Sequence, residues 1–256
     1  MPLATFEQRL KESFHEVQSV FALTWRTLAG IFTPPYYYRE TITQLDKIGV
    51  GSLFIICLTG LFTGMVMALQ ALVQLKPFAA TSYVGGMVAV TMVKELGPVL
   101  SALMVTGRVG SAITAELGAM TVTEQVDAMR VEGTDIVKRL VATRLKAIVL
   151  AMPLLVAVTD GVALVGGYVI AAGYHINPIM YWQSIPQFMV FQDLVEGALK
   201  PAIFGGIIAM IGCHVGLSAG GGAEGVGAAA KRAVVLASVL ILVTDFFLTK
   251  IFIVFR

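Results

Sequence analysis

The stretch Gly51 to Leu75, GSLFIICLTGLFTGMVMALQALVQL, carries no charged side chain over twenty-five consecutive positions. About 20 apolar residues rising 1.5 Å each cross a hydrocarbon core, so this run reads as a transmembrane helix. The rest of the chain agrees: 57% of its 256 residues are hydrophobic and only 13% are charged, with a mean hydropathy of +0.84. An ordinary soluble domain carries about 25% charge. A net charge of +2 is too small to suggest nucleic-acid binding.

Outward from this run, the pattern predicts an all-α integral membrane protein with an N-terminal interfacial amphipathic helix and five transmembrane helices. In residues 1–47, Leu3, Phe6, Leu10, Phe14, Val17, Phe21 and Leu28 recur at helical spacing, while Glu7, Arg9, Lys11, Glu12 and Glu16 fill the other face. Trp25 and Tyr36 to Tyr38 suit the headgroup level. The start of the chain lacks a basic segment followed by an apolar core, so it is not read as a signal peptide. Residues 48–256 form the five-span unit, with spans expected at about 49–75, 83–118, 147–172, 201–217 and 233–255. The second is too long for a core of about 30 Å, and Gly97 and Pro98 mark its expected kink. Residues 173–197 read as an interfacial connection, and Gly220 to Gly227 as a connector. Lysine and arginine bias places Arg130, Lys138, Arg139, Arg144, Lys146 and most N-terminal bases on the cytoplasmic side. Lys76, Lys200 and Arg256 fall outside, giving a cytoplasmic N-terminus and an external C-terminus.

Between spans 2 and 3, Thr121 to Gly133 (TVTEQVDAMRVEG) predicts a short cytoplasmic helix. Thr121 and Glu124 have capping-box spacing, Val122, Val126 and Met129 form an apolar stripe, and Gln125, Asp127 and Arg130 lie on other faces. It either lies on its own bundle or docks a cytoplasmic partner. No glycine is followed by lysine, so the chain has no P-loop and any nucleotide chemistry belongs elsewhere. Gly216, Ser218 and Gly220 imitate a nucleophile elbow beside His214, but at a membrane helix end rather than a strand-to-helix turn. Neither cysteine has metal-site spacing, and no His/carboxylate cluster stands out, so no metal or catalytic site is expected. Small-residue pairs such as Gly60 with Gly64 and Gly107 with Ser111 suit close helix packing.

Ionisable residues at membrane depth are Lys94, Glu95, Arg108, Glu116, Asp160 and Asp245. A charge near the bilayer centre costs at least about 2.5 kcal/mol, so each must pair or face a wet cavity. Lys94 and Glu95 project about 100° apart on a helix and cannot share one neighbour. A polar cavity wall fits them better than a single buried ion pair. Asp160 and Asp245 are candidate partners of Lys94 or Arg108.

Four motifs in order, KELGPVLSALMVTGRVGSAITAELGAM from Lys94, TEQVDAM from Thr123, GGGAEGVG from Gly220 and VTDFFLT from Val243, resemble the MlaE/YrbE permease family. Members are the membrane subunits of ABC transporters that work with MCE-domain proteins in lipid traffic. The resemblance implies a non-catalytic homodimer in the bacterial inner membrane, moving phospholipid between the inner and outer membranes. It also implies two copies of a cytoplasmic ATPase, which holds the ATP and magnesium, and a hexameric MCE-domain ring on the outer side. Thr121, Glu124, Gln125, Asp127 and Met129 would belong to the helix coupled to the ATPase. Lys94, Glu95, Gly97 and Pro98, with apolar surface around Leu69 and Tyr83, would line the lipid site. Two readings stand beside this one: a secondary transporter using Glu95, Asp160 or Asp245 for proton coupling, and a scaffold with no lipid cavity.

Overall fold

A computed structural model describes residues 18–31 and 33–254. Among these, the elements are helices and no strand occurs, and five helices are long and apolar enough to cross a membrane. Helix α1 covers 18–31, so most of the amphipathic pattern, Leu3 to Val17, lies outside the described residues. Helix α2 (Tyr38–Leu75) is the first span. The second span, Thr81–Val122, comprises α3 (Val84–Thr91), α4 (Gly97–Val105) and α5 (Ser111–Val122), joined by π-helical turns at Met92–Leu96 and Thr106–Gly110. A short helix, α6 (Gln125–Val131), leads through a third π turn, Val137–Ala142, into α7 (Thr143–Gly173). Then come α8 (Pro178–Phe188), α9 (Phe191–Leu217) and α10 (Gly222–Val254).

The helices run longer than the apolar runs because their polar end turns continue the helix beyond the hydrocarbon. At 1.5 Å per residue, α2 is about 57 Å long. Residues 173–197 are not one interfacial connection: α8 occupies part of them, and α9 begins at Phe191. Lys200 therefore lies inside a membrane helix, fully buried, rather than on the outer surface. The glycine connector shrinks to Ser218 to Gly221, since α10 starts at Gly222.

Between membrane helices, hydrophobic burial supplies no drive, so close backbone approach and polar contacts set the packing. Helices α2 and α7 form the most extensive pair. A Cβ on Gly60 would stand 2.7 Å from the Thr159 carbonyl oxygen, and one on Gly64 would run into the backbone of Ala163. These two glycines are the small-residue pair of α2, and α7 occupies the groove they leave. Ser101 and Thr159 hydroxyls, 2.9 Å apart, tie α4 to α7 in the interior. The main core gathers Ile56, Leu117, Ile148, Met152, Phe204 and Ile208 from α2, α5, α7 and α9. Helix α8 starts where the Asn177 side chain accepts the Ile179 amide at 2.9 Å, an N-cap. It is held by Tyr181, whose hydroxyl donates to the Leu164 carbonyl at 2.9 Å. Burial pushes that phenol above its ordinary range, so it remains a donor. Helix α10 is the least buried span and presents Phe246 and Phe247 outward.

The capping box expected at Thr121 and Glu124 does not form. Thr121 still belongs to α5, its hydroxyl donating to the Leu117 carbonyl at 2.9 Å. Glu124 adopts a left-handed conformation (φ 59°) that turns the chain into α6, and its side chain makes no cap bond. The apolar stripe does find a surface: Val126 is buried and Met129 packs on the main core. Gly133, at φ 76°, ends this excursion. The Asp135 carboxylate then accepts the amides of Val137 and Lys138, capping the next helix.

Candidate functional site

Proline has no amide hydrogen, so Pro98 leaves the Lys94 carbonyl without its usual helical donor. The chain answers with a π turn, in which the Gly97 amide bonds the Met92 carbonyl, and with a lysine from another helix. The Lys200 amine donates to the Lys94 carbonyl oxygen at 2.9 Å and to the Thr249 hydroxyl at 2.8 Å. It also pairs with Glu95 at 3.0 Å and Asp245 at 3.3 Å. The Thr249 hydroxyl donates in turn to Glu95 Oε1 at 3.0 Å. One buried ammonium thus joins the second span, α9 and α10. An ammonium has three protons for four acceptors, so two of these contacts share a donor.

Lys94 points elsewhere. Its amine pairs with Asp193 at 3.1 Å, and the other Asp193 oxygen accepts the Val190 amide at 3.0 Å, fixing the first turn of α9. The adjacent charges diverge to different partners, and both stay partly open: the Lys94 side chain is 20% exposed and that of Glu95 38%. Neither Asp160 nor Asp245 pairs with Lys94 or Arg108. Asp245 belongs to the Lys200 cluster, while one Asp160 oxygen is pressed against Gly97, where a Cβ would collide with it. Glu116 pairs with buried Arg144 at 2.9 Å, and Arg108 bonds Ser52 Oγ at 2.8 Å.

The structure brings Lys94, Glu95, Gly97, Pro98 and Asp245 together, with Asp160 against Gly97. It does not gather Leu69 and Tyr83 into this cluster. Leu69 lies on the outer face of α2, and Tyr83 packs edge-on to Phe188 of α8, about 17 Å along the span from Lys94. Lys200, Asp193 and Thr249 are the residues that sequence reasoning missed. Their signal was available: Asp193, Glu196 and Lys200 recur at i, i+3 and i+7, one helical face, and Asp245 with Thr249 at i, i+4. On α6, Asp127 and Arg130 pair with each other at 3.0 Å on the exposed face, and Val131 is 90% exposed at its end. Among the described residues, no group of histidines, cysteines or carboxylates could hold a metal.

Comparison with known proteins gives this geometry a context. Residues 41–251 match the family model described as permease MlaE. A probable ABC transporter permease protein of Rickettsia bellii is 40% identical over 91% of this chain and 90% of its own. One from Synechocystis is 37% identical over 92% and 90%. The intermembrane phospholipid transport system permease protein MlaE of Haemophilus influenzae is 35% identical over 84% and 83%. With five membrane-spanning helices and this match over most of its length, the chain belongs to the MlaE family of ABC transporter permeases.

Proposed function

We propose that the chain moves phospholipid between the inner and outer membranes, driven by a separate ATPase. The observation that carries this reading is a pair of adjacent charges partly exposed inside a membrane span, Glu95 in the Lys200 cluster and Lys94 on Asp193. A buried ion pair made only for stability would be weak design, since apolar replacements are often as stable. Two charges that are paired yet stay partly exposed suit a zwitterionic or anionic headgroup. The phospholipid transport named for the Haemophilus relative supports that substrate class.

In this reading two copies pair in the bacterial inner membrane, with the N-terminus cytoplasmic and the C-terminus periplasmic. Two ATPase subunits, holding ATP and magnesium, grip α6, and an MCE-domain ring receives lipid on the outer side. ATP-driven closure displaces α6, and the second span carries that motion to the Lys200 cluster, so that the lipid cavity opens or collapses.

The test is lipid-stimulated ATP hydrolysis by the chain co-purified with its ATPase. Glu95→Gln should assemble normally and lose the lipid response. Asp127→Ala should retain the fold and lose coupling. Lipid movement under a proton gradient without any ATPase would overturn the proposal in favour of a secondary transporter.

A further inference from the structure

Arg108 is the charged residue that the site above leaves aside. It sits in the π turn Thr106–Gly110, where Nη1 donates to Ser52 Oγ at 2.8 Å. The Nη1–Nη2 edge of its guanidinium abuts Gly51, leaving the Nε–Nη2 edge as the other fork: a Cβ there would stand 2.6 Å from Nη2 and 2.9 Å from Nη1. The side chain faces a cleft of about 470 Å³ between the early part of α2 and α5, lined by Asp46, Lys47, Ala112 and Glu116 among apolar neighbours. Among the described residues no carboxylate lies within ion-pair distance of Arg108, and the nearby Glu116 is engaged by Arg144 at 2.9 Å.

A guanidinium carries five N–H donors in a planar fork, and the hydroxyl of Ser52 accepts only one. The depth of the site narrows what could accept the rest. Gly51 and Ser52 open the uncharged run of α2, one turn beyond Asp46 and Lys47, so Arg108 stands at the edge of the hydrocarbon. The acceptor that bilayers supply at that level is the phosphodiester, whose oxygens match a guanidinium fork bidentately. The cleft continues along Val50, Val109 and Ile113, a surface for acyl chain rather than for a free anion. Lys94 lies fourteen positions away, about 21 Å along the same span, so the two charged levels are separate stations.

We infer that Arg108 is a second headgroup site, which binds the phosphate of a phospholipid in the leaflet on the α6 side. The inference rests on the phospholipid reading for its substrate class and adds a station at the opposite end of the span from Tyr83. Two devices prepare it: Gly51 gives the guanidinium room, and Ser52 fixes its orientation.

The test is native mass spectrometry of the purified chain with dioleoyl phosphatidylglycerol, and with dioleoylglycerol, which lacks the phosphate. Arg108→Gln should weaken phosphatidylglycerol binding by about ten-fold or more and leave dioleoylglycerol unchanged. Ala112→Phe, which fills the cleft without removing the charge, should do the same, and it decides the matter if Arg108→Gln fails to fold. Wild-type affinity in both cleft variants overturns the site. So does displacement of the lipid by millimolar inorganic phosphate, which assigns a free anion, or conversion of a dimer to monomer at unchanged lipid affinity, which assigns Arg108 to a second copy. Loss of lipid-stimulated ATP hydrolysis in the wild type would count against the transport reading and leave this binding measurement readable.

Discussion

Replacing Lys200 by Met removes the ammonium and keeps the length of the side chain. Four acceptors lose the lysine as a donor: the Glu95 and Asp245 carboxylates, the Lys94 carbonyl and the Thr249 hydroxyl. Breaking a buried ion pair by removing one partner costs about 3–5 kcal/mol. Glu95 is 38% exposed and regains water, so its share falls well below that range. Asp245 is 18% exposed and Pro98 has already removed the usual helical donor of the Lys94 carbonyl, which together keep the expected loss at about 3 kcal/mol. That is roughly a hundred-fold shift in the folded to unfolded ratio. Titration with dodecyl sulfate in mixed micelles, followed by circular dichroism, measures it. The triple variant Lys200→Met, Glu95→Gln, Asp245→Asn removes the stranded charges and should recover at least half of the loss. A single variant within about 1 kcal/mol of wild type, or a triple variant no better than the single, would refute the account of Lys200 as the charge that holds these helices together.

Gly97→Ala should destabilise the protein by about 1–3 kcal/mol, since the new methyl meets Asp160 and the Met92 carbonyl; Asp160→Ala in the same chain should restore part of that, read by thermal unfolding. Gly64→Val should cost at least about 2 kcal/mol by forcing α2 from α7, and the same measurement checks it. Asp127→Ala, whose only ion pair among the described residues is the exposed one with Arg130, should change stability by less than about 0.5 kcal/mol, whereas Val126→Asp buries an unpaired charge and should cost about 2 kcal/mol or more. Asp193→Asn should weaken both the Lys94 pair and the first turn of α9, so hydrogen exchange at residues 190–196 should quicken more than exchange in α10.

The five membrane helices were legible because burial in lipid demands a long apolar run, and Gly51 to Leu75 has no other reading. The carbonyl freed by Pro98 was legible too, since a missing amide hydrogen must leave an acceptor to be satisfied. What satisfies it was not, because Lys200 precedes a proline beside a polar connection and looked like a surface charge. Its depth follows from α9 starting at Phe191, ten residues before the apolar run expected from position 201. The pattern at Thr121 and Glu124 fits a helix start, yet the same residues serve a helix break, with Glu124 in the left-handed region. The π turns left no trace in composition, since one extra residue per turn changes register without changing hydropathy.

The Lys200 cluster also sets an order of assembly. During synthesis the second span delivers Glu95 first, and α9 then brings the lysine, but Asp245 and Thr249 arrive only with the last helix. Until α10 enters the bilayer, the amine has one carboxylate where the finished protein gives it two. A chain truncated before Asp245 therefore keeps a lysine that the membrane interior does not tolerate, a built-in mark by which an unfinished subunit differs from a complete one.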